Sequence, residues 1–249
     1  MLIHGALLNA TAWWGPLLRR IAGHFTVYAM DRRGRAPSGD AENYSLSMEG
    51  EDIVRVAEAI GTPFSMLAHS YGAVATLDAI DRLKDVSHLI LYEPPLTLAP
   101  AGRPDSEKIL GNMERTLQAG DREEAVTIFL RDQVRMPREQ MAAFRWSPKW
   151  PVAVEVAHTL PRESRVVNTY RDWSQKLGNC NIPTTVFLGG ETTASELRDG
   201  SMFVSRSIPG CALKILQGQG HNAMLDAPDF FAAAVIEILQ PMPNGRGAL

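Results

Sequence analysis

Cysteine is scarce, with only Cys180 and Cys211 in 249 residues. Two thiols cannot build a disulfide framework, and neither lies at metal-ligand spacing, so no metal site is expected. They read as small buried hydrophobes in a reducing cytosol, the compartment expected for this chain. Long hydrophobic runs are missing too: none reaches about 18 residues, which excludes an ordinary transmembrane helix. The opening Met1-Leu-Ile-His-Gly5 lacks the basic start and apolar stretch of a signal peptide. No charge of one sign dominates, since 25 Lys+Arg against 28 Asp+Glu leave a net charge of -3 without any block of like charges. A nucleic-acid binder carries a basic face, so neither nucleic acid nor membrane is expected as a partner. Internal repeats and low-complexity segments are also missing.

What is present is an ordinary globular composition, 45% hydrophobic and 21% charged, enough for a sizeable core. At roughly 150 residues per domain, the length fits one large domain or two small ones. Short β-branched and aromatic runs alternate with helical patterns, which predicts an α/β protein with a mostly parallel sheet. The strand candidates are Leu2-Ile3, Phe25 to Met30, Phe64 to Ala68, His88 to Tyr92, Thr184 to Leu188 and Ala212 to Leu216. Several are continuous apolar runs, as strands buried on both faces should be. Ile53, Val56, Ala57 and Ile60 form one helical stripe, and Asp229 to Leu239 a closing helix after Pro228. The Pro/Gly-rich stretch from Pro241 to Leu249 reads as a frayed tail.

From about Leu96 to Gly178 the rhythm changes. Only helical patterns occur there, at Asp105 to Leu117, Asp121 to Val134, Arg138 to Phe144 and Val166 to Leu177. Asp121, with Glu124 three residues on, reads as an N-cap pair. Such an insertion is too long for a connecting loop and reads as a lid. The domain division is therefore 1-95 with 181-249 as an α/β core, and 96-180 as a helical cap.

The chemistry concentrates in Phe64-Ser-Met-Leu-Ala-His-Ser-Tyr-Gly-Ala-Val-Ala75. An apolar strand ends at Ala68, His69 to Gly72 makes a turn, and a helix starts near Ala73. This is the layout of a nucleophile elbow, with Ser70 central and the small residues Ala68 and Gly72 at the flanking positions. Serine needs a base. Gln217-Gly-Gln-Gly-His-Asn222 follows a strand and precedes the last helix, so His221 sits on a glycine loop able to reach Ser70. Imidazole titrates in the range that suits proton transfer near neutrality. An oxyanion would be received by the backbone N–H groups of Tyr71, after the nucleophile, and Ala6, in the His4 to Leu8 loop where Gly5 permits a sharp turn. His4 itself reads as a structural hydrogen-bonding residue.

Across nearly its full length the chain resembles the α/β-hydrolase superfamily. The matching pieces are His4-Gly5, Asp31-Arg-Arg-Gly-Arg-Ala-Pro-Ser38, His69-Ser70-Tyr71-Gly72, Tyr92-Glu-Pro-Pro95, Leu188-Gly-Gly-Glu191 and Gly218-Gln-Gly-His221. The Asp31 turn and the Tyr-Glu-Pro-Pro segment resemble a bacterial subgroup of capped hydrolases. In the Asp31 to Ser38 turn the charges read as braces between loops. The resemblance implies an α/β-hydrolase fold and, with it, a catalytic Asp just after the Thr184 to Leu188 strand. Here that position is Thr192, which cannot orient an imidazolium electrostatically. Glu93, at the end of the preceding strand, is the favoured substitute, stiffened by Pro94 and Pro95. Glu191, one residue early, or no acid at all, are the alternatives.

The superfamily's usual strand hairpin before the His-Gly strand is missing. The Phe25 to Met30 strand is then an apolar edge, which predicts either homo-oligomerisation there or an incomplete sequence. Ala36 and Ala68 replace family glycines without changing the reading. Candidate pocket residues are Leu7, Leu8 and Trp13 after Gly5, and Met136, Met141, Phe144, Trp146, Trp150 and Trp173 from the insertion, where Met and Trp on helices read residue by residue as core rather than ligand contacts. The expected activity is hydrolysis of a small hydrophobic ester, lactone or thioester through an acyl-enzyme on Ser70, His221 and Glu93, with no cofactor. A lyase, cyclase, acyltransferase or C–C bond hydrolase on the same scaffold, or a small-molecule binder, are the competing expectations.

Overall fold

A computed structural model describes residues 1–240, and the tail from Pro241 lies outside them. Six strands are present: β1 (Leu2–Ile3), β2 (Ala29–Met30), β3 (Phe64–His69), β4 (Val86–Tyr92), β5 (Thr184–Gly189) and β6 (Ala212–Leu216). They form one sheet in the order β2-β1-β3-β4-β5-β6, each pairing parallel. Side chains alternate across it. Leu67, Ile90, Tyr92 and Phe187 enter the core on one face, while Met66, Ala68, Leu91 and Val186 enter the core on the other.

Helices cover both faces. On the first lie α1 (Ala10–Ile21), whose start is capped by Asn9 Oδ1 accepting from Ala12 N–H at 2.9 Å, and the closing helix Pro228–Leu239. On the second lie α2 (Leu46–Ile60), ended by Gly61 in the left-handed conformation at φ 66°, and α3 (Tyr71–Ala79). The expected strand over Phe25 to Met30 is realised only at Ala29 and Met30. Its neighbour β1 has two residues to offer, so only two pair, while Phe25 and Val27 turn in against the core.

Between β4 and β5 the described residues form no strand. The segment holds α4 (Ser106–Gln118), α5 (Arg122–Ile128), α6 (Arg138–Arg145), α7 (Trp150–Glu155), α8 (Leu160–Asn168) and α9 (Ser174–Gly178). Asp121 Oδ1 accepts from Glu124 N–H at 2.9 Å and so caps α5, as the spacing predicts. Two expectations differ. The Asp121 pattern passes at Phe129–Gln133 into a π-helix. The Val166 to Leu177 pattern is broken after Asn168, because Arg171 Nη1 donates to the Val166 carbonyl at 2.6 Å and Asp172 Oδ1 restarts the chain by accepting from Ser174 N–H at 2.9 Å. After β5 come α10 (Ser195–Ser207), α11 (Ala223–Asp226) and the closing helix, α12. α10 is not among the helices the sequence pattern predicts.

One buried ion cluster ties the helical segment to the sheet. Glu163 Oε1 on α8 accepts from Arg32 and Arg35 at 2.5 Å each, and all three side chains are closed to solvent. Nearby, the Arg33 guanidinium pairs with Asp52 at 2.8 Å and Asp31 Oδ1 accepts from Ala10 N–H at 2.7 Å. The Asp31 to Ser38 turn thus braces loops, as its charges predict.

Candidate active site

The residues singled out from distant stretches of chain converge at the C-terminal ends of the strands. Ser70 stands between β3 and α3 at φ 52°, ψ -123°, a conformation that costs free energy for any side chain. The turn is tight enough that a Cβ on Gly72 would lie 2.4 Å from the His4 carbonyl oxygen and 2.8 Å from that of Ile3. Gly72→Ala is therefore expected to destabilise the fold by about 1–3 kcal/mol, read as a lowered thermal midpoint. Gly5 serves the same closeness from the other side, where a Cβ would sit 3.0 Å from both His69 Nδ1 and Ser70 Cβ. The sharp bend expected at Gly5 falls instead on Leu7, at φ 74°.

His221 and Glu93 are joined directly. His221 Nδ1 lies 2.5 Å from Glu93 Oε2, and the carboxylate is fully buried. Its other oxygen, Oε1, accepts from Gly189 N–H at 2.7 Å and from Thr192 Oγ1 at 2.6 Å. Thr192, in the slot where an Asp was expected, thus supplies a donor to a carboxylate arriving from the next strand. Only its position hinted at this. Glu191 is exposed, and its backbone N–H donates to Gln219 O at 2.9 Å. Glu93 itself has φ 47°, so Leu7, Ser70 and Glu93 all carry left-handed backbone at one locus.

Ser70 and His221 line one cavity of about 680 Å³. Ser70 Oγ makes no hydrogen bond among the described residues, so its proton is uncommitted. The cavity also exposes Ala6 and Tyr71, and neither backbone N–H is taken up by a turn, loop or side-chain acceptor among those residues. The Ala6 N–H shares its peptide plane with the Gly5 carbonyl, and the following carbonyl, that of Ala6, accepts from Leu8 N–H and Trp13 Nε1–H, both at 2.9 Å. Tyr71 sits at the first turn of α3, where the helix dipole favours negative charge. His4 is buried, with Nδ1 2.7 Å from the Gly5 carbonyl and Nε2 accepting from Arg32 N–H at 3.2 Å, a structural role.

Leu7, Leu8 and Trp13 line the cavity from the core, as do Met136 and Phe144 from the helical segment. Trp146 does not. It is 90% exposed, because it follows the inward-facing Phe144 by two positions, about 200° round a helix. Trp150 does not line it either: it is buried behind the wall, edge-on to Phe144 at 6.0 Å and under the Arg145 guanidinium at 5.2 Å. Trp173 is buried in the core on the opposite face of the sheet, and Met141 packs outside the cavity. Unforeseen wall residues include Phe129, Leu130 and Gln133 from the π-helix, with Asn222 beside the histidine.

The chain belongs to the alpha/beta hydrolase family, whose model matches residues 1–234. It is similar to an alpha/beta hydrolase from Sphaerobacter thermophilus, with 31% identity and a TM-score of 0.81 over 96% of this chain and 91% of that one. An esterase from Exiguobacterium antarcticum (17% identity, TM-score 0.74, 96% and 90% covered) shares the fold. So does a bromoperoxidase from Bacillus anthracis (18% identity, TM-score 0.72, 96% and 90% covered). A Gibberella zeae AB hydrolase superfamily protein is 34% identical over 77 residues, which span 29% of this chain and only 24% of that protein. An esterase and a bromoperoxidase resemble the chain equally, so the chemistry has to be argued from the site. Among the described residues no helix is long and apolar enough to cross a membrane.

Proposed function

We propose that this protein is a serine hydrolase acting on small hydrophobic esters, lactones or thioesters through an acyl-enzyme. The observation that carries the reading is the buried Glu93 carboxylate on His221 Nδ1, with Ser70 on its strained turn facing the same cavity. Glu93 fixes the proton on Nδ1, which leaves Nε2 free as the base. On substrate binding the Ser70 hydroxyl meets Nε2 and attacks the carbonyl, and its proton passes to the imidazole. Ser70 Oγ and His221 make no hydrogen bond in the free site, and contacts of this kind often tighten in the bound complex. The Ala6 and Tyr71 N–H groups receive the oxyanion; losing one such donor typically costs about 3 kcal/mol of barrier. His221 then protonates the leaving group, and water, activated by the same imidazole, releases the acid. Mainly apolar walls support a hydrophobic acyl group, and the helical segment acts as a lid that keeps bulk water from the intermediate.

A fluorophosphonate probe tests this. Mass spectrometry is expected to find one adduct on Ser70 of the folded protein and none on Ser70→Ala. An unlabelled wild type, or an adduct elsewhere, would refute the nucleophile assignment.

A further inference from the structure

We propose that His69 and Tyr92 are positioning residues that hold the imidazole-bearing loop in register with both nucleophile and acid. The inference rests on the Ser-His-Glu reading above. His69 immediately precedes Ser70, Tyr92 immediately precedes Glu93, and the two are register partners across the parallel β3–β4 pair. Each reaches from the sheet to a successive carbonyl of one loop. His69 Nε2 lies 3.0 Å from the His221 carbonyl oxygen, and the Tyr92 hydroxyl donates to that of Gly220. The Tyr92 oxygen in turn accepts from Ala223 N–H at 3.3 Å, on the far side of the histidine.

These bonds bypass the reacting atoms. They tie the turn that presents the hydroxyl, and the strand end that presents the carboxylate, to the backbone carrying the base. The loop needs such ties, because Gly218-Gln-Gly220 is free to take many backbone conformations and would let the imidazole wander.

The His69 contact also assigns a proton. A carbonyl oxygen only accepts, so Nε2 carries the hydrogen and Nδ1 is left without a partner. Burial first, and then the neighbouring His221, push the His69 imidazole well below the usual histidine range, so the ring stays neutral and keeps this single donor. Its position is fixed on three sides by rings, with centroids 4.9 Å away at Trp13, 5.2 Å at Tyr92 and 4.5 Å at His221.

His69→Phe and Tyr92→Phe keep an aromatic ring and remove one donor each; His69→Gln restores an N–H near the place of Nε2. Turnover of p-nitrophenyl acetate and the fluorophosphonate labelling rate are measured on the full chain, with a thermal melt alongside. Each Phe variant is expected to lower kcat and labelling about 10–100-fold, as a displacement on the order of 1 Å does, with KM unchanged. His69→Gln is expected to recover most of the loss. Phe variants whose kcat and labelling stay within about twofold of wild type overturn the proposal and leave the Ser-His-Glu reading intact. A loss confined to KM, or one that simply tracks a lower folded fraction in the melt, overturns it as well. Should His69→Phe not fold, Tyr92→Phe, which loses a single oxygen, decides alone. A wild type that does not label removes the reading and the proposal together.

Discussion

Glu93→Gln is expected to lower kcat by about 10⁴-fold while leaving the protein folded, because it presents His221 with the wrong hydrogen-bond partner. In the native site Oε1 is already committed to Gly189 N–H and Thr192 Oγ1. A glutamine keeps its carbonyl oxygen on those donors and so turns its NH₂ toward His221 Nδ1. The imidazole then accepts at Nδ1 and carries its proton on Nε2, the atom that is the base in the proposed mechanism. Shape and burial are preserved; the tautomer is inverted. Steady-state kinetics on an activated ester measures this, with circular dichroism confirming the fold. Glu191→Gln, at an exposed position that makes no contact with the ring, is expected to leave kcat within about twofold. Equal activity of Glu93→Gln and wild type would remove Glu93 from the site.

Glu163→Gln is expected to destabilise the protein by about 3–5 kcal/mol in urea denaturation, although it removes only one charge. Both guanidiniums on Glu163 are buried; apart from it, among the described residues, Arg32 has only the Glu49 carboxylate, 3.8 Å from Nη1, and Arg35 only the Leu8 and Arg33 carbonyls, at 3.4 and 3.2 Å. Without the Glu163 charge, two cations remain out of water with the more distant Glu49 and neutral oxygens as their partners. Asp52→Asn breaks the part-exposed pair with Arg33 and is expected to cost less than about 1 kcal/mol. The sign of the pH dependence follows. Burial alone would raise the Glu163 carboxyl, but Arg32 and Arg35 outweigh it and hold the group below the usual range. Its contribution is therefore present above the ordinary glutamate value of about 4.3 and is lost as pH falls through the lowered one. The gap between wild type and Glu163→Gln should narrow on acidification. Glu49, also beside Arg32, acts in the opposite sense, since burial raises its carboxyl. A gap that widens in acid would contradict the charge assignment.

The legible parts of this site were those whose signal is local. Ser70 stood out because an apolar strand, a turn with Gly72 and a helix follow one another within a dozen residues, and that order forces the bend. His221 stood out because a glycine loop after a strand can reach back. A mismatch, a threonine in the slot for an acid, points to Glu93, and the bond Thr192 makes to that carboxylate cannot be read from its identity. Where the structure departs from the sequence pattern, the cause is physical. Trp146 suits a pocket by residue type, whereas its phase just past the end of α6 turns it to solvent. The Phe25 to Met30 run has the composition of a strand but only a two-residue partner.

By itself the chain's order of apolar runs determined a parallel sheet with helices on it, because strand and helix periodicities are properties of neighbouring residues. The bend that carries Ser70 was determined in the same way. The three-dimensional structure alone decided which carboxylate faces the imidazole, which rings wall the cavity, and that His69 and Tyr92 grip consecutive carbonyls of one loop. Those pairings join residues more than a hundred positions apart, and only strand register and loop path bring them within hydrogen-bonding distance.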